Sequence, residues 1–190
     1  MIAPDELVFE TERTWVRQWR ESDADRVLDI NSRWDVVRWL DDDPTVMTHR
    51  DEAVDRIASW RGIRERLGEP CGQWAVQDRE TGVTVGCVLL VPLPTLNRDG
   101  TREIQVGWHL HPDSTGRGYA REAATGALAY GFAHGLTEIR ALMYTDNDPS
   151  VKVALAIGMD DLGVATDQWY AGDSRVFWTT ADSLVRAGVR

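Results

Sequence analysis

His111-Pro112-Asp113-Ser114-Thr115-Gly116-Arg117-Gly118-Tyr119-Ala120-Arg121-Glu122-Ala123 follows an apolar alternation, Ile104, Val106, Trp108 and Leu110, and opens an alanine-rich helical pattern. A strand, a glycine turn and a helix N-terminus in succession form an anion site. The N–H groups of the first helical turn are free, and the helix dipole favours negative charge there. Gly116 and Gly118 let the backbone approach a pyrophosphate with no Cβ in the way. Arg117 and Arg121 add positive charge beside the turn.

Two other phosphate loops do not fit. The turn lacks the Gly-Lys-Ser/Thr ending of a P-loop. Tyr119, Ala120 and Arg121 follow Gly118, so the dinucleotide fingerprint Gly-x-Gly-x-x-Gly is not completed. The competing reading is a glycine turn that only caps a helix.

The run Gly107-Trp108-His109-Leu110-His111-Pro112-Asp113-Ser114-Thr115-Gly116-Arg117-Gly118-Tyr119-Ala120-Arg121-Glu122-Ala123 resembles motif A of the GNAT N-acetyltransferase superfamily. It does so in the RimJ/RimL-like form G-Y-W-L-x-P-x-x-W-G-x-G-Y-A-x-E-A. The superfamily pattern Gln/Arg-x-x-Gly-x-Gly/Ala falls on Thr115, Gly118 and Ala120, and Thr115 departs from it. Further on, Asp146-Asn147-Asp148-Pro149-Ser150 resembles the family's Asn-x-x-Ser, and Ala156-Ile157-Gly158-Met159 its K-L-G-F.

The resemblance implies an α+β fold: a mixed, mostly antiparallel central sheet of about seven strands, flanked by helices and splayed where acyl-CoA enters. It implies acetyl-CoA as cosubstrate, held by Leu110, Thr115, Gly116, Arg117, Gly118, Tyr119, Ala120, Arg121, Asn147 and Ser150. The backbone N–H near Leu110, at a strand bulge in the family, is the expected oxyanion donor. A homodimer is compatible with the family.

Acetyl transfer to an amine needs a neutral nucleophile, a donor for the carbonyl oxygen and, where required, a proton for the leaving thiolate. The family transfers directly, so Cys71 and Cys87 need no catalytic role. Glu103, Gln105, Gly107, His109 and His111 share one strand face. Gln105 stands where RimJ/RimL-like proteins often carry Glu, which leaves Glu103 as the expected base and His109 as its competitor. Each also has a structural alternative, a solvated or salt-bridged strand carboxylate and an ordinary partly buried histidine. The family's tyrosine acid falls on Ala154, so Ser150 is the expected acid and Tyr144 a weaker one. His109-Leu110-His111 has no third ligand placed by sequence, and no metal is expected. An α-amino group, with a pKa of about 8, needs less help than a lysine-like amine near ~10.4. Low-pKa amines, including protein N-termini, are therefore the favoured substrates, with small-molecule amines the other branch.

The 190 residues suffice for one domain, expected over residues 1–190. A formal charge of −10 argues against nucleic acid and suits a cationic substrate. No apolar run approaches the ~20 residues that span a bilayer, and Met1–Glu6 lacks the basic start of a signal peptide. A cytoplasmic enzyme with Cys71 and Cys87 reduced and buried is expected. Of nine tryptophans, Trp34, Trp39 and Trp169 are candidates for the acceptor wall. Asp35, Asp41, Asp42 and Asp43 read first as a solvated loop run and second as an attraction for a cationic amine.

Periodicity predicts strands over Thr11–Arg20, Gly72–Gln77, Val83–Val91, Arg102–Leu110, Glu138–Tyr144, Trp169–Tyr170 and Arg175–Thr180. Helices are expected after a Ser22 N-cap, over Val36–Leu40, Thr48–Leu67, Tyr119–Gly135, Pro149–Ile157 and Ala181–Ala187, with Pro92–Gly100 a loop. Two further readings stand beside the enzyme: a non-catalytic acyl-CoA-binding module, and an interaction protein whose glycine turn is structural.

Overall fold

The computed structural model describes residues 2–3, 6–96 and 102–186. In chain order the elements are β1 (Leu7–Glu10), β2 (Thr14–Arg17), α1 (Ala24–Asn31), α2 (Trp34–Val37), α3 (Arg50–Leu67), β3 (Gly72–Asp78), β4 (Thr84–Leu96), β5 (Arg102–Leu110), α4 (Tyr119–Ala133), β6 (Glu138–Tyr144), α5 (Asp148–Ala156), β7 (Asp160–Thr166), β8 (Asp173–Thr180) and α6 (Ala181–Arg186). The described strands form one eight-stranded sheet ordered β1-β2-β3-β4-β5-β6-β8-β7. Every neighbour pair is antiparallel except β5–β6.

Alternation along the strands sends side chains to two helical layers. Trp74, Val76, Val88, Leu90 and Val106 face Ala123, Ala124, Ala127 and Leu128 of α4 and Val151 and Ala154 of α5. Ala75 and Cys87 face the other way, onto Trp19, Val27 of α1, and Ala53, Ile57 and Trp60 of α3. The alanine stripe on α4 brings the helix axis close to the sheet. A Cβ on its Gly131 would stand 3.0 Å from both Ile139 and Leu136.

The helix expected over Val36–Leu40 lies earlier, at Trp34–Val37, and the expected and observed elements differ more deeply in four other places. The strand expected over Thr11–Arg20 is shorter, Thr14–Arg17, and pairs with a strand not expected ahead of it, β1; the chain leaves the sheet before Trp19. Ser22 lies inside a 3-10 turn, Glu21–Asp23, and it is the Asp23 carboxylate that accepts the Arg20 N–H at 2.8 Å. Trp169–Tyr170 is not a strand. It lies in the turn between β7 and β8, and β7 brings the strand count to eight rather than seven. β7 escapes detection because it is an edge strand with only Ala165 less than exposed, so Asp-Asp-Leu-Gly-Val-Ala-Thr carries no buried alternation. β4 continues through Pro92 to Leu96, and the rest of the expected loop, residues 97–100, lies outside the described residues, as does Ala187.

A buried ion pair ties the α1 side to the sheet. Arg17 Nη1 and Nη2 donate to both oxygens of Asp23 at 2.7 and 2.9 Å, and its Nε donates to Gln77 at 2.6 Å. The Arg17 side chain is 2% exposed and that of Asp23 10%. Removing one partner strands the other charge away from water. Asp23→Ala is expected to lower unfolding stability by about 3–5 kcal/mol, read as a drop in urea midpoint.

Candidate active site

β5 and β6 meet in register at one pair among the described residues, Gln105↔Arg140, and then part. Both arms are held from outside. β5 pairs with β4 without a shift from Pro92↔Ile104 to Gly86↔Leu110, and β6 pairs with β8 from Glu138↔Thr180 to Tyr144↔Ser174. His111 N–H donates to Val85 on the β4 side. By alternation, the N–H groups of Leu110 and Trp108 point the opposite way, into the gap. The bulge expected near Leu110 is absent from the β4 ladder. Divergence of the strands frees the N–H instead.

The glycine turn sits at the open end of this gap. Gly116 and Gly118 have φ of +73° and +82°, and a Cβ on Gly116 would meet nothing within 4 Å. α4 starts at Tyr119 with its free N–H groups facing the same space. The turn is braced from beneath. Glu122 accepts from Thr11 Oγ1, the Arg13 backbone N–H and Arg13 Nε at 2.5, 2.7 and 2.8 Å. Arg13 Nη1 donates to the Arg117 carbonyl at 3.1 Å. Tyr119 Oη donates to Asp78 at 2.5 Å. His111 Nδ1 accepts the Asp113 N–H at 3.1 Å, and its Nε2 lies 3.0 Å from Asp29 of α1.

A cleft of about 810 Å³ runs from the turn through the gap to the α2 side. Leu110, Thr115, Gly116, Gly118, Ala120, Arg121, Asn147 and Ser150 all line it. Arg117 and Tyr119 do not; Tyr119 is buried beneath the turn and contributes there through Asp78. Asn147 Oδ1 accepts the Ser150 N–H at 3.3 Å, capping α5. Ala154 is fully buried in the core, outside the cleft. Of the three tryptophans expected at the acceptor wall, Trp39 lines the cleft, Trp34 is exposed outside it, and Trp169 lines a separate, smaller pocket with Arg140. Asp35, Asp41 and Asp42 line the far mouth, so that part of the acidic run faces the cleft.

Glu103 is not a cleft-lining residue. Its Oε1 takes Arg140 Nε at 2.7 Å, and its Oε2 takes the Trp169 indole N–H at 2.7 Å. His109 does line the cleft. Burial, and then the nearby Arg56 charge, push its pKa down to about 4, so the ring is neutral at pH 7 and holds an added proton weakly. Tyr144 Oη lies 2.8 Å from the Asp41 carbonyl and 3.0 Å from Asp42 Oδ1. Burial and Asp42 push its pKa up to about 12, which keeps the phenol protonated. Cys71 and Cys87 are buried free thiols, and burial pushes Cys87 up to about 12.

Sequence reasoning did not find Arg13, Asp78 or Tyr170. Arg13 and Asp78 act across the fold from the turn, a relation no local pattern encodes. Tyr170 was hidden by the expectation of a strand.

Residues 13–160 match the family model of the acetyltransferase (GNAT) domain. The chain belongs to the GNAT acetyltransferase family. The uncharacterized N-acetyltransferase YoaA of Bacillus subtilis is 26% identical over 165 residues, covering 86% of this chain and 88% of YoaA. Two solved structures share the fold. RimJ of Mycobacterium smegmatis, in complex with CoA-disulfide, aligns with a TM-score of 0.70 at 21% identity over 93% of this chain and 90% of RimJ. The microcin C7 self-immunity acetyltransferase MccE, in complex with acetyl-CoA and AMP, aligns at 0.73 and 14% identity over 94% and 97%. As a GNAT acetyltransferase, the chain is an acetyl-transferring enzyme.

Gly118→Val places a side chain at positive φ against Arg13 Nη2, 3.3 Å from the Cβ. It is expected to weaken CoA binding at least about tenfold by calorimetry, from backbone strain alone. Gly135→Val also sits at positive φ, with open space around it at the far end of α4, and should leave binding unchanged. Tyr119, then Thr81, hold the Asp78 carboxyl down to about 2. A depressed carboxylate stabilises the fold above its unfolded pKa of about 3.9, and that contribution is lost as pH falls towards about 2. The stability gap between wild type and Asp78→Asn should therefore be full above pH ~4 and shrink towards pH ~2 in acid-unfolding curves.

Proposed function

We propose that this enzyme moves the acetyl group of acetyl-CoA directly onto a primary amine, and that the amine enters between Asp35, Asp41 and Asp42. The observation that carries this reading is the continuity of one cleft, from the glycine turn at one end to the three carboxylates at the other. The residues at the first end suit acetyl-CoA: an N-terminal helical turn, two glycines at positive φ, and Arg121 at the rim. Bound there, acetyl-CoA supplies an activated thioester.

The chain's own groups then have separable tasks. The Leu110 N–H, aimed into the gap, stabilises the negative charge that builds on the acyl oxygen. The carboxylates at the mouth draw in the ammonium form of the substrate. Farther in, Leu89, Val106, Trp108 and Met143 line the cleft, and loss of water there favours the neutral amine. Ser150 lines the turn side of the gap and donates a hydrogen bond to the departing sulfur, which takes up the proton that the amine nitrogen loses on acylation. Tyr144, already engaged with the Asp41–Asp42 loop, is less free to do so.

With Glu103 occupied and His109 a weak base, the amine's own pKa governs the reaction. Protein N-termini and small amines of similar basicity are the favoured substrates, being partly neutral at pH 7. Cytoplasmic action fits such amines, and no described helix is long and apolar enough to cross a membrane.

Thiol release from acetyl-CoA against free N-terminal peptides, amino acids, amino sugars and polyamines tests the activity. Turnover is expected on amines with pKa near ~8. Binding of CoA with no turnover on any of them would instead mark an acyl-CoA-binding module. Across an amine series, the acid limb of kcat/KM should move with the amine's pKa; a limb fixed at one pH would reveal a base on the enzyme. Asp41→Asn with Asp42→Asn is expected to raise the amine KM and flatten its salt dependence.

A further inference from the structure

The Glu103 carboxylate sits at the closed end of the gap, beside the Gln105↔Arg140 pair, and both of its oxygens are taken. Arg140 Nη2 lies 2.5 Å from Oε1, and the two side chains are only 16% and 15% exposed. The Arg140 guanidinium also lies 5.5 Å from the centre of the Trp169 ring. Trp169 is thus gripped twice, through its N–H by Glu103 and through its face by Arg140.

Trp169 belongs to the turn between β7 and β8, which is shaped from within. Asp167 has φ +52°, its N–H donates to the Gly172 carbonyl at 2.9 Å, and the Gly172 N–H donates to Asp167 Oδ1 at 2.7 Å. The next residue after Trp169 is Tyr170, which lines the cleft with Ala171. Gln105 Nε2 donates to Tyr170 Oη at 2.6 Å. With that oxygen accepting from Gln105, the phenol O–H remains free to donate to another acceptor, and both side chains line the cleft.

We infer that Glu103 and Arg140 form a latch that, through Trp169, holds the 167–172 turn against the cleft, and that Tyr170, oriented by Gln105, contacts the incoming amine. Glu103 is then a positioning residue, and Tyr170 a specificity-determining one. This assignment rests on the amine-acetyltransferase reading above. Gln105 has a use of its own here: an amide can donate to the phenol oxygen, which a carboxylate cannot.

Two readouts test it. The first needs no substrate. Hydrogen exchange across residues 166–173 should quicken in Glu103→Gln and in Trp169→Phe, since each removes part of the grip. The second is kinetic. Glu103→Gln, Trp169→Phe and Tyr170→Phe should each raise the amine KM about tenfold, while the KM for acetyl-CoA and the pH dependence of kcat keep their wild-type form. Trp169→Phe leaves the ion pair in place, so it carries the test if Glu103→Gln folds poorly. Unchanged exchange in the turn, together with a collapsed kcat and a displaced acid limb in Glu103→Gln, would overturn the latch and return Glu103 to proton transfer. Unaltered amine KM in both Trp169→Phe and Tyr170→Phe would overturn the role of Tyr170. A wild-type enzyme silent on every amine would defeat the activity reading alone, because the exchange rates would still report the latch.

Discussion

The parting of β5 from β6 is the constraint on which the site depends. An antiparallel sheet has no interior edge. Here one parallel pair is introduced, and it closes at Gln105↔Arg140 alone among the described residues. The arms cannot swing back together, because each is committed to a long antiparallel ladder on its outer side. Backbone donors are thereby exposed inside the fold, where each lacks a partner at a cost of about 1–3 kcal/mol unless water or a ligand satisfies it. An opening of this kind offers N–H groups at a position where no side chain is required.

The turn beside that opening is held by residues far away in sequence. Arg13 and Glu122 bind the first hairpin to α4, Tyr119 and Asp78 bind α4 to the β3–β4 hairpin, and His111 reaches Asp29 on α1. None of these side chains lines the cleft, so they brace the loop without occupying the cleft surface. The arrangement is pre-organisation: donors are held in place before binding rather than ordered by it. In the proposed latch, Glu103, Arg140 and Trp169 form a comparable brace on the 167–172 turn.

The elements nearest the cofactor end were the most legible in the sequence. Arg102–Leu110 alternates in sequence and Glu138–Tyr144 alternates in burial, and both strands have the bounds that periodicity predicts. α4 declares itself through Gly118 and its alanine stripe. β7 is exposed along its length and carries no such pattern. Side-chain roles were harder to read. Glu103 has the chemistry of a base and the right strand face, but its partners are Arg140 and Trp169, which lie 37 and 66 residues away in the chain. Asp41 and Asp42 look like solvent-facing loop residues until Tyr144 draws them over the cleft. Local pattern encodes which residues share a face, while long-range pairing selects which of them meet.

The most direct test of the central claim is a hydrogen-exchange footprint of acetyl-CoA on the intact chain. Protection is predicted along residues 106–111, across the turn and first helical turn at 115–122, and at 147–153, with β1 and the β7 edge unchanged. Saturable binding whose protection falls outside those three segments would contradict the placement of the site in the β5–β6 opening.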